Sequence, residues 1–154
     1  MVQRVSLRKI LKCAAGALAI AVMSGAGIAK AEPDAWEKKP YKIIGGKVDF
    51  GTYNGFRRYH SMCHTCHGPD ALGSSFGPSL VESLRTLTYS QFGSVVITGR
   101  TTNRAGTSYV MPSFAGNRDV MEYLDDIYAY LKARSDGALK RGRPSRLPKP
   151  KKGK

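Results

Sequence analysis

Cys63-His64-Thr65-Cys66-His67-Gly68 is the segment from which the fold of this chain can be inferred. Two thiols three positions apart, with a histidine directly after the second, form the attachment pattern for haem of the c type. Each thiol can add to one haem vinyl group, and the adjacent histidine is then held under the iron as its proximal ligand. The pattern therefore predicts one covalent haem c, attached through Cys63 and Cys66 and ligated by His67.

Two other uses of this cysteine pair are open from the residues alone. A disulfide that closes so short a loop is usually redox-active and belongs to a thioredoxin-like βαβ unit, and no such pattern is visible here. A structural zinc ion normally takes a second pair of ligands. The third cysteine, Cys13, lies in a segment that we expect to be removed.

Residues 1–31 have the composition of a secretory signal peptide. A basic stretch precedes a small apolar run over 13–29, and Ala29-Lys30-Ala31 offers an A-x-A cleavage site. An uncleaved membrane anchor is the alternative, whereas a lipoprotein is disfavoured because Cys13 precedes the apolar run. We expect cleavage after Ala31 and a periplasmic protein, which agrees with the attachment of c-type haem outside the cytoplasm.

Positive charge is concentrated at the two ends of the chain. The formal net charge is +14, from 25 basic and 11 acidic residues. Five basic residues lie in 1–31 and eight in 140–154, so the body over 32–139 is close to neutral. The segment 137–154 is basic, rich in proline and almost without apolar residues, which predicts a disordered tail.

Helix signals surround the cysteine motif. Asp49 can cap a helix over about 51–62, and Thr88 with Gln91 forms a capping box before a helix that ends at Gly99. Residues 32–48 are predicted to form an extended arm that lies against the domain through Trp36, and residues 100–108 a polar loop. A last helix is predicted over about 118–134, capped by Asn117 or by Asp119 with Glu122.

A methionine in the segment 110–114 is the expected sixth ligand of the iron. Electron-transfer cytochromes commonly use a thioether there, and Met111 lies in a loop that Pro112 stiffens. Met62 directly precedes Cys63 and cannot reach the opposite face of a haem, and Met121 falls at core spacing in the last helix. The weaker rivals are His60 and His64.

A histidine ligand also needs an acceptor for its second ring N–H, because that bond fixes the ring orientation and its basicity. The carbonyl of Pro78 lies on a rigid backbone eleven residues after His67. We therefore expect Pro78 to be the acceptor for His67, with an ordinary loop proline as the alternative.

The order of these signals over about 49–134 resembles that of class I cytochromes c. A helix, a CxxCH motif, a Gly-Pro-x-Leu loop, a middle helix, a Met-Pro loop and a C-terminal helix follow one another. The resemblance implies an all-α fold, the class I cytochrome c fold, in which the domain over 49–136 wraps around one haem. It also implies that His67 is proximal, that Met111 is distal, and that Pro78 accepts from His67.

Three segments, 53–60, 110–114 and 120–134, are similar to a narrower group. These are the soluble, cytochrome cL-like proteins that accept electrons from PQQ-dependent methanol or alcohol dehydrogenases, often the lanthanide-dependent enzymes. The resemblance implies a periplasmic one-electron carrier of methylotrophy, a monomer without catalytic residues, that passes electrons toward a terminal oxidase or a further cytochrome.

Two other functions stay open on the sequence. One is a fixed haem subunit of a membrane or dehydrogenase complex, and the other is a ligand-binding or peroxidase-like cytochrome, which would need an open sixth position. Export argues against a nucleic-acid partner for the basic tail. An acidic patch on the dehydrogenase and an anionic membrane surface are the candidate partners of that tail.

Overall fold

The structure of the protein is a computed structural model that describes residues 34–148. Seven helical segments and five short strands are described in this range. In chain order they are α1 Ala35–Lys38, β1 Ile43–Ile44, β2 Lys47–Val48, α2 Phe50–Met62, α3 His64–His67, α4 Leu80–Ser83, α5 Tyr89–Thr98, β3 Arg100–Arg104, β4 Thr107–Met111, α6 Arg118–Glu122, α7 Leu124–Ser135 and β5 Ser145–Arg146.

The helix that leads into the cysteine motif packs directly on the last helix. Asp49 caps α2 by accepting the Thr52 backbone N–H at 3.0 Å, as predicted. Gly55 lies where α2 touches α7, since a Cβ atom there would be 1.8 Å from the carbonyl oxygen of Asp126. Such a close approach of two backbones is open only to glycine. This contact forms the main helix packing of the domain.

Capping signals in the sequence mark the helix starts correctly. The side chains of Thr88 and Gln91 form the predicted capping box of α5, and Gly99 ends that helix. Asn117 caps α6. The single last helix predicted over 118–134 is wrong in one respect, because Tyr123 has non-helical dihedrals and separates α6 from α7.

The prediction of an all-α fold is correct only in part. Strands β3 and β4 form an antiparallel hairpin in place of the predicted polar loop. Ala105 and Gly106 join the strands with φ values of 47° and 79°, and positive φ at both central residues suits the two-residue turns of tight hairpins. A second, three-stranded sheet has the order β1-β2-β5.

The N-terminal arm lies against the domain through Trp36, as expected, but it is not simply extended. Residues 35–38 form the helical turn α1. The Trp36 ring meets the rings of Tyr89 and Tyr128 at 5.2 and 6.0 Å between centroids. Strands β1 and β2 then form a hairpin before α2.

The prediction of disorder from residue 137 onward is wrong for residues 137–148, which we name the C-terminal strap. Strand β5 pairs in parallel with β2, and the backbone N–H of Leu147 donates to the carbonyl of Val48 at 2.8 Å. Leu139 is buried at 7% exposure. The composition of this segment wrongly predicts disorder. The segment is held by hydrogen bonds of backbone groups and of a few specific side chains, and an average hydrophobicity does not reflect such bonds.

The strap is anchored at Asp70, three residues after the histidine of the motif. The Asp70 carboxylate accepts from the Gly142 backbone N–H at 2.7 Å and from Arg141 Nε at 2.9 Å. The buried guanidinium of Arg134 donates to the Asp70 carbonyl and, at 2.7 Å, to the Leu139 carbonyl. The loop after the motif, the last helix and the strap are thereby joined at one point.

Removing the strap should therefore destabilise the fold. A chain that ends at Gly137 loses the burial of Leu139. It also removes hydrogen-bond partners of the Asp70 carboxylate and of the Arg134 guanidinium. We expect the free energy of unfolding to fall by about 3 kcal/mol or more. A chain that ends at Pro148 is the control and should unfold like the full chain. Equal urea midpoints for the two truncated forms would contradict a structural role for the strap.

The strap should also give stability a specific pH dependence. Burial would raise the pKa of Asp70, but hydrogen bonds from Gly142 and Arg141 and the charge of Arg134 outweigh it and hold the pKa below its usual 3.8. A lowered pKa stabilises the fold fully above the unfolded-state pKa, and this contribution is lost as pH falls through the folded-state pKa. The stability difference between the natural protein and Asp70→Asn should be constant from about pH 5 to 7 and shrink below about pH 4 in urea titrations. A difference that does not change with pH would contradict this assignment.

Among the residues that the structure describes, no helix is both long enough and apolar enough to cross a membrane. The predicted signal peptide, residues 1–31, and the end of the predicted tail, residues 149–154, lie outside the described range.

Candidate functional site

A cavity of about 560 Å³ lies beside the cysteine motif. Its wall combines the motif, the loop after it, the helix α5, the hairpin β3–β4 and the helix α7. Most of the side chains that the helices contribute are apolar. The apolar residues of the wall include Leu80, Leu87, Phe92, Val95, Val96, Leu124, Ile127 and Leu131. Several residues of the buried hydrophobic core, among them Phe92, Ile127 and Leu131, therefore also form the wall of this cavity.

Both thiols of the motif reach this cavity. The backbone N–H groups of Cys66 and His67 donate to the carbonyl of Cys63 at 3.2 and 3.0 Å, so the motif closes into a helical turn. Cys63 is half-buried and Cys66 is exposed, and both are free thiols. Burial, and then the neighbouring Cys66, raise the pKa of Cys63 to about 11. Because both thiols line the cavity, both can take part in covalent attachment there.

The imidazole of His67 is held at one nitrogen and lines the cavity. His67 is 7% exposed, and its Nδ1 lies 2.9 Å from the carbonyl oxygen of Pro78. Because a carbonyl can only accept, Nδ1 carries the proton and Nε2 keeps the lone pair that a metal ion can use. Gly77 leaves room for this ring, since a Cβ there would lie 3.1 Å from the ring and 2.9 Å from the Cys66 carbonyl oxygen.

Met111 lines the same cavity from the end of β4 rather than from a free loop. Its strand partner is Arg100, and the backbone N–H of Phe114 donates to the carbonyl of Val96 at 2.9 Å. Gly99 allows this packing, because a Cβ there would lie 2.7 Å from the Met111 carbonyl oxygen. The segment 110–114 is thus fixed to the end of α5.

The histidine rivals of Met111 do not line the cavity. His60 Nδ1 donates to the Phe56 carbonyl at 2.8 Å, and the His60 ring stacks on His64 with 5.7 Å between centroids. The cavity-lining residues include neither of them, nor Met121. Met62 does line the cavity, directly before Cys63.

The hairpin is the part of the site that sequence reasoning missed. Arg100, Thr102, Tyr109 and Val110 contribute to the cavity wall. The alternation of larger side chains in 107–111 and the Ala105-Gly106 pair were the available signals, but the polar composition of 100–108 favoured a loop. Arg100 lies at the cavity and is exposed.

The residues at the cavity fit the predicted haem c. Two thiols with the required spacing, an oriented imidazole and a thioether face a space whose wall is largely apolar. A porphyrin needs such a wall for its faces, and c-type attachment needs both thiols. No group of three or more histidine, cysteine or acidic side chains within residues 34–148 is arranged to hold a separate metal ion.

Comparisons with known proteins agree with this chemistry. Residues 52–131 match the family described as cytochrome c oxidase, cbb3-type, subunit III. The chain is 46% identical over 107 residues to cytochrome c-553I of Paracoccus denitrificans, a match that covers 69% of this chain and 47% of that relative. It is 44% identical over 96 residues to cytochrome c-555 of Methylococcus capsulatus, covering 62% of this chain and 72% of that relative.

A solved structure is similar as well. The c-type cytochrome XoxG from Methylobacterium extorquens AM1 superposes with a TM-score of 0.64 at 44% identity. The match covers 72% of this chain and 69% of that one. This chain spans less than half the length of the Paracoccus relative but most of the other two.

Proposed function

The chain belongs to the cytochrome c family, and on that premise we propose that it carries single electrons in the periplasm from a PQQ-dependent methanol or alcohol dehydrogenase toward a terminal oxidase. Proteins of this family hold one covalent haem c and transfer electrons. The observation that carries the proposal is that Cys63, Cys66, His67 and Met111 line a single, mainly apolar cavity.

We assign haem attachment to Cys63 and Cys66 and iron ligation to His67 and Met111. When bound, the haem supplies a one-electron couple between ferric and ferrous iron. Pro78 holds the His67 ring in one orientation and raises its basicity as a ligand through the Nδ1 hydrogen bond. The apolar wall keeps water from the site, which limits the reorganisation of the surroundings when the charge changes.

Filling both axial positions from the protein distinguishes a carrier from a ligand-binding cytochrome. Replacing Met111 by alanine should remove the weak sulfur-to-iron charge-transfer band of the ferric protein and lower the reduction potential, since the axial ligand strongly affects haem potential. Absorption spectra and redox titration measure both effects. Met62→Leu is the matched control, because Met62 also lines the cavity. Loss of the band in the control, or its survival in Met111→Ala, would refute our assignment.

The dehydrogenase partner rests on the resemblance of residues 53–60, 110–114 and 120–134 to cytochromes that serve such enzymes. Stopped-flow mixing of the ferric protein with substrate-reduced, PQQ-dependent dehydrogenases tests carrier function and partner together. We expect reduction that saturates with the concentration of the physiological enzyme. Rapid reduction by a small reductant, with none by any quinoprotein dehydrogenase, would agree with the carrier function but refute the proposed dehydrogenase partner.

A fixed haem subunit is the second candidate. The matched family is described as a subunit of a cbb3-type oxidase, and the Paracoccus relative is about twice as long as the part that this chain matches. The mass of the native protein, measured by light scattering in gentle extracts, separates the two. A monomer supports the carrier, whereas a stable association with oxidase or dehydrogenase subunits supports the subunit.

A further inference from the structure

The C-terminal strap assembles a cationic surface away from the cavity. Its six cationic side chains are all exposed and come from the strap, from the hairpin β1–β2 and from the residue just before that hairpin. We name this the strap surface: Lys42, Lys47, Lys140, Arg141, Arg143 and Arg146. The strap and hairpin meet where Lys47 pairs with Ser145 and Val48 with Arg146. None of the six side chains lines the cavity.

Nearby carboxylates neutralise only part of this surface, because within the part of the chain that the structure describes Arg141 alone of its six cations is paired with one. Asp49 is half-buried and is used to cap α2. Asp70 is buried and holds Arg141 and the backbone of Gly142. Asp136 binds Lys132 and the Tyr41 hydroxyl. The sequence adds four lysines in residues 149–154, so positive charge dominates this part of the chain.

Two large apolar side chains lie among these cations. Ile44 is 53% exposed and is the strand partner of Lys47. Phe50 is 58% exposed, and the guanidinium of Arg146 lies 5.9 Å from its ring centroid. A cationic surface with exposed apolar side chains suits a boundary between charged headgroups and hydrocarbon.

We propose that the strap surface binds bilayers that contain anionic phospholipid. Each lysine or arginine near such a bilayer strengthens binding about fivefold, and Ile44 and Phe50 can enter the interfacial region. Nucleic acid fits less well, because Arg143 and Arg146 already lie over the Tyr53 ring and Arg146 over the Phe50 ring, where bases would stack. Since the cavity is lined by residues outside the strap surface, the strap surface can contact a bilayer without involving the residues of the cavity.

The proposal is tested by co-sedimentation of the mature holoprotein with vesicles of phosphatidylcholine alone or with about one third phosphatidylglycerol. This binding does not depend on electron transfer, so it can fail while the proposed function stands. We expect partitioning onto anionic vesicles at low salt, at least about tenfold above neutral vesicles. Binding should weaken toward physiological salt, where charges are screened beyond about 8 Å.

Charge reversal identifies the surface that binds. Lys42 and Lys47 make no side-chain hydrogen bond or ion pair within residues 34–148, so Lys42→Glu with Lys47→Glu should leave the fold intact and lower partitioning at least about tenfold. The control, Arg85→Glu with Arg118→Glu, changes the net charge equally, and each of its sites touches only an exposed carboxylate. It should lower partitioning much less.

Apolar contact is tested by Ile44→Ser, which should lower binding a few-fold even where salt screens the charges. Three outcomes overturn the proposal: equal binding to neutral and anionic vesicles, equal loss in the two charge-reversed variants, or binding to soluble polyglutamate with none to vesicles. The last outcome would assign the strap surface to an acidic protein instead.

Discussion

Gly55→Ala is expected to disrupt the packing of the first long helix against the last. The new Cβ would lie 1.8 Å from the Asp126 carbonyl oxygen, 2.4 Å from its carbonyl carbon and 3.0 Å from the Ile127 nitrogen. All three are backbone atoms, so no side-chain rotation relieves the overlap and the helices must move apart. We expect the free energy of unfolding to fall by about 3 kcal/mol or more. In a domain of this size, the melting temperature would fall by about 12 °C or more.

Gly93→Ala is the matched control for that measurement. Gly93 is also a buried helical glycine, but a Cβ there meets only Leu124 Cδ2 at 3.7 Å, an ordinary contact. Alanine has the higher helix propensity, so this variant should melt at or above the temperature of the natural protein. Similar melting temperatures for the two variants would show that α2 and α7 do not approach as closely as described.

Replacing Cys63 and Cys66 together by alanine should remove covalent haem and much of the fold. The cavity of about 560 Å³ is lined by apolar residues of α5 and α7, and without its cofactor this lining has no partner. A domain this small depends strongly on such a contribution to its core. We expect haem that is extracted by acidified organic solvent, and a large loss of cooperative unfolding in circular dichroism.

Thr65→Ala is the control for the motif itself, because Thr65 is exposed and lies between the two cysteines. It should retain haem through solvent extraction and unfold cooperatively. Haem that stays attached after solvent extraction of the double cysteine variant would refute covalent attachment through this pair.

Local signals allowed much of the helical framework to be predicted. Asp49, the Thr88 and Gln91 pair, and Asn117 each cap the helix expected of them. A cap acts through hydrogen bonds to backbone groups two or three residues away, so neighbouring residues alone suffice to recognise it. The family assignment is likewise confirmed, since the motif and the order of the elements are properties of the sequence.

The strands and the C-terminal strap could not be predicted in the same way. Strands β2 and β5 pair across almost a hundred residues, and the strap is anchored by the buried charges of Asp70 and Arg134. Composition suggested disorder there because a basic, proline-rich segment buries little apolar surface. Its attachment depends instead on which backbone and side-chain groups meet after the rest of the chain has folded.

The cofactor and the helix starts could be predicted from the sequence alone, because covalent attachment and capping both depend on residues a few positions apart. The tertiary structure decided the remaining features: a cavity that brings Met111 to the same space as His67, a hairpin that forms part of its wall, and a strap that closes on Asp70. These features join residues that are far apart in sequence, and their contacts form only when the chain packs. Such contacts cannot be predicted from a local pattern of residue types.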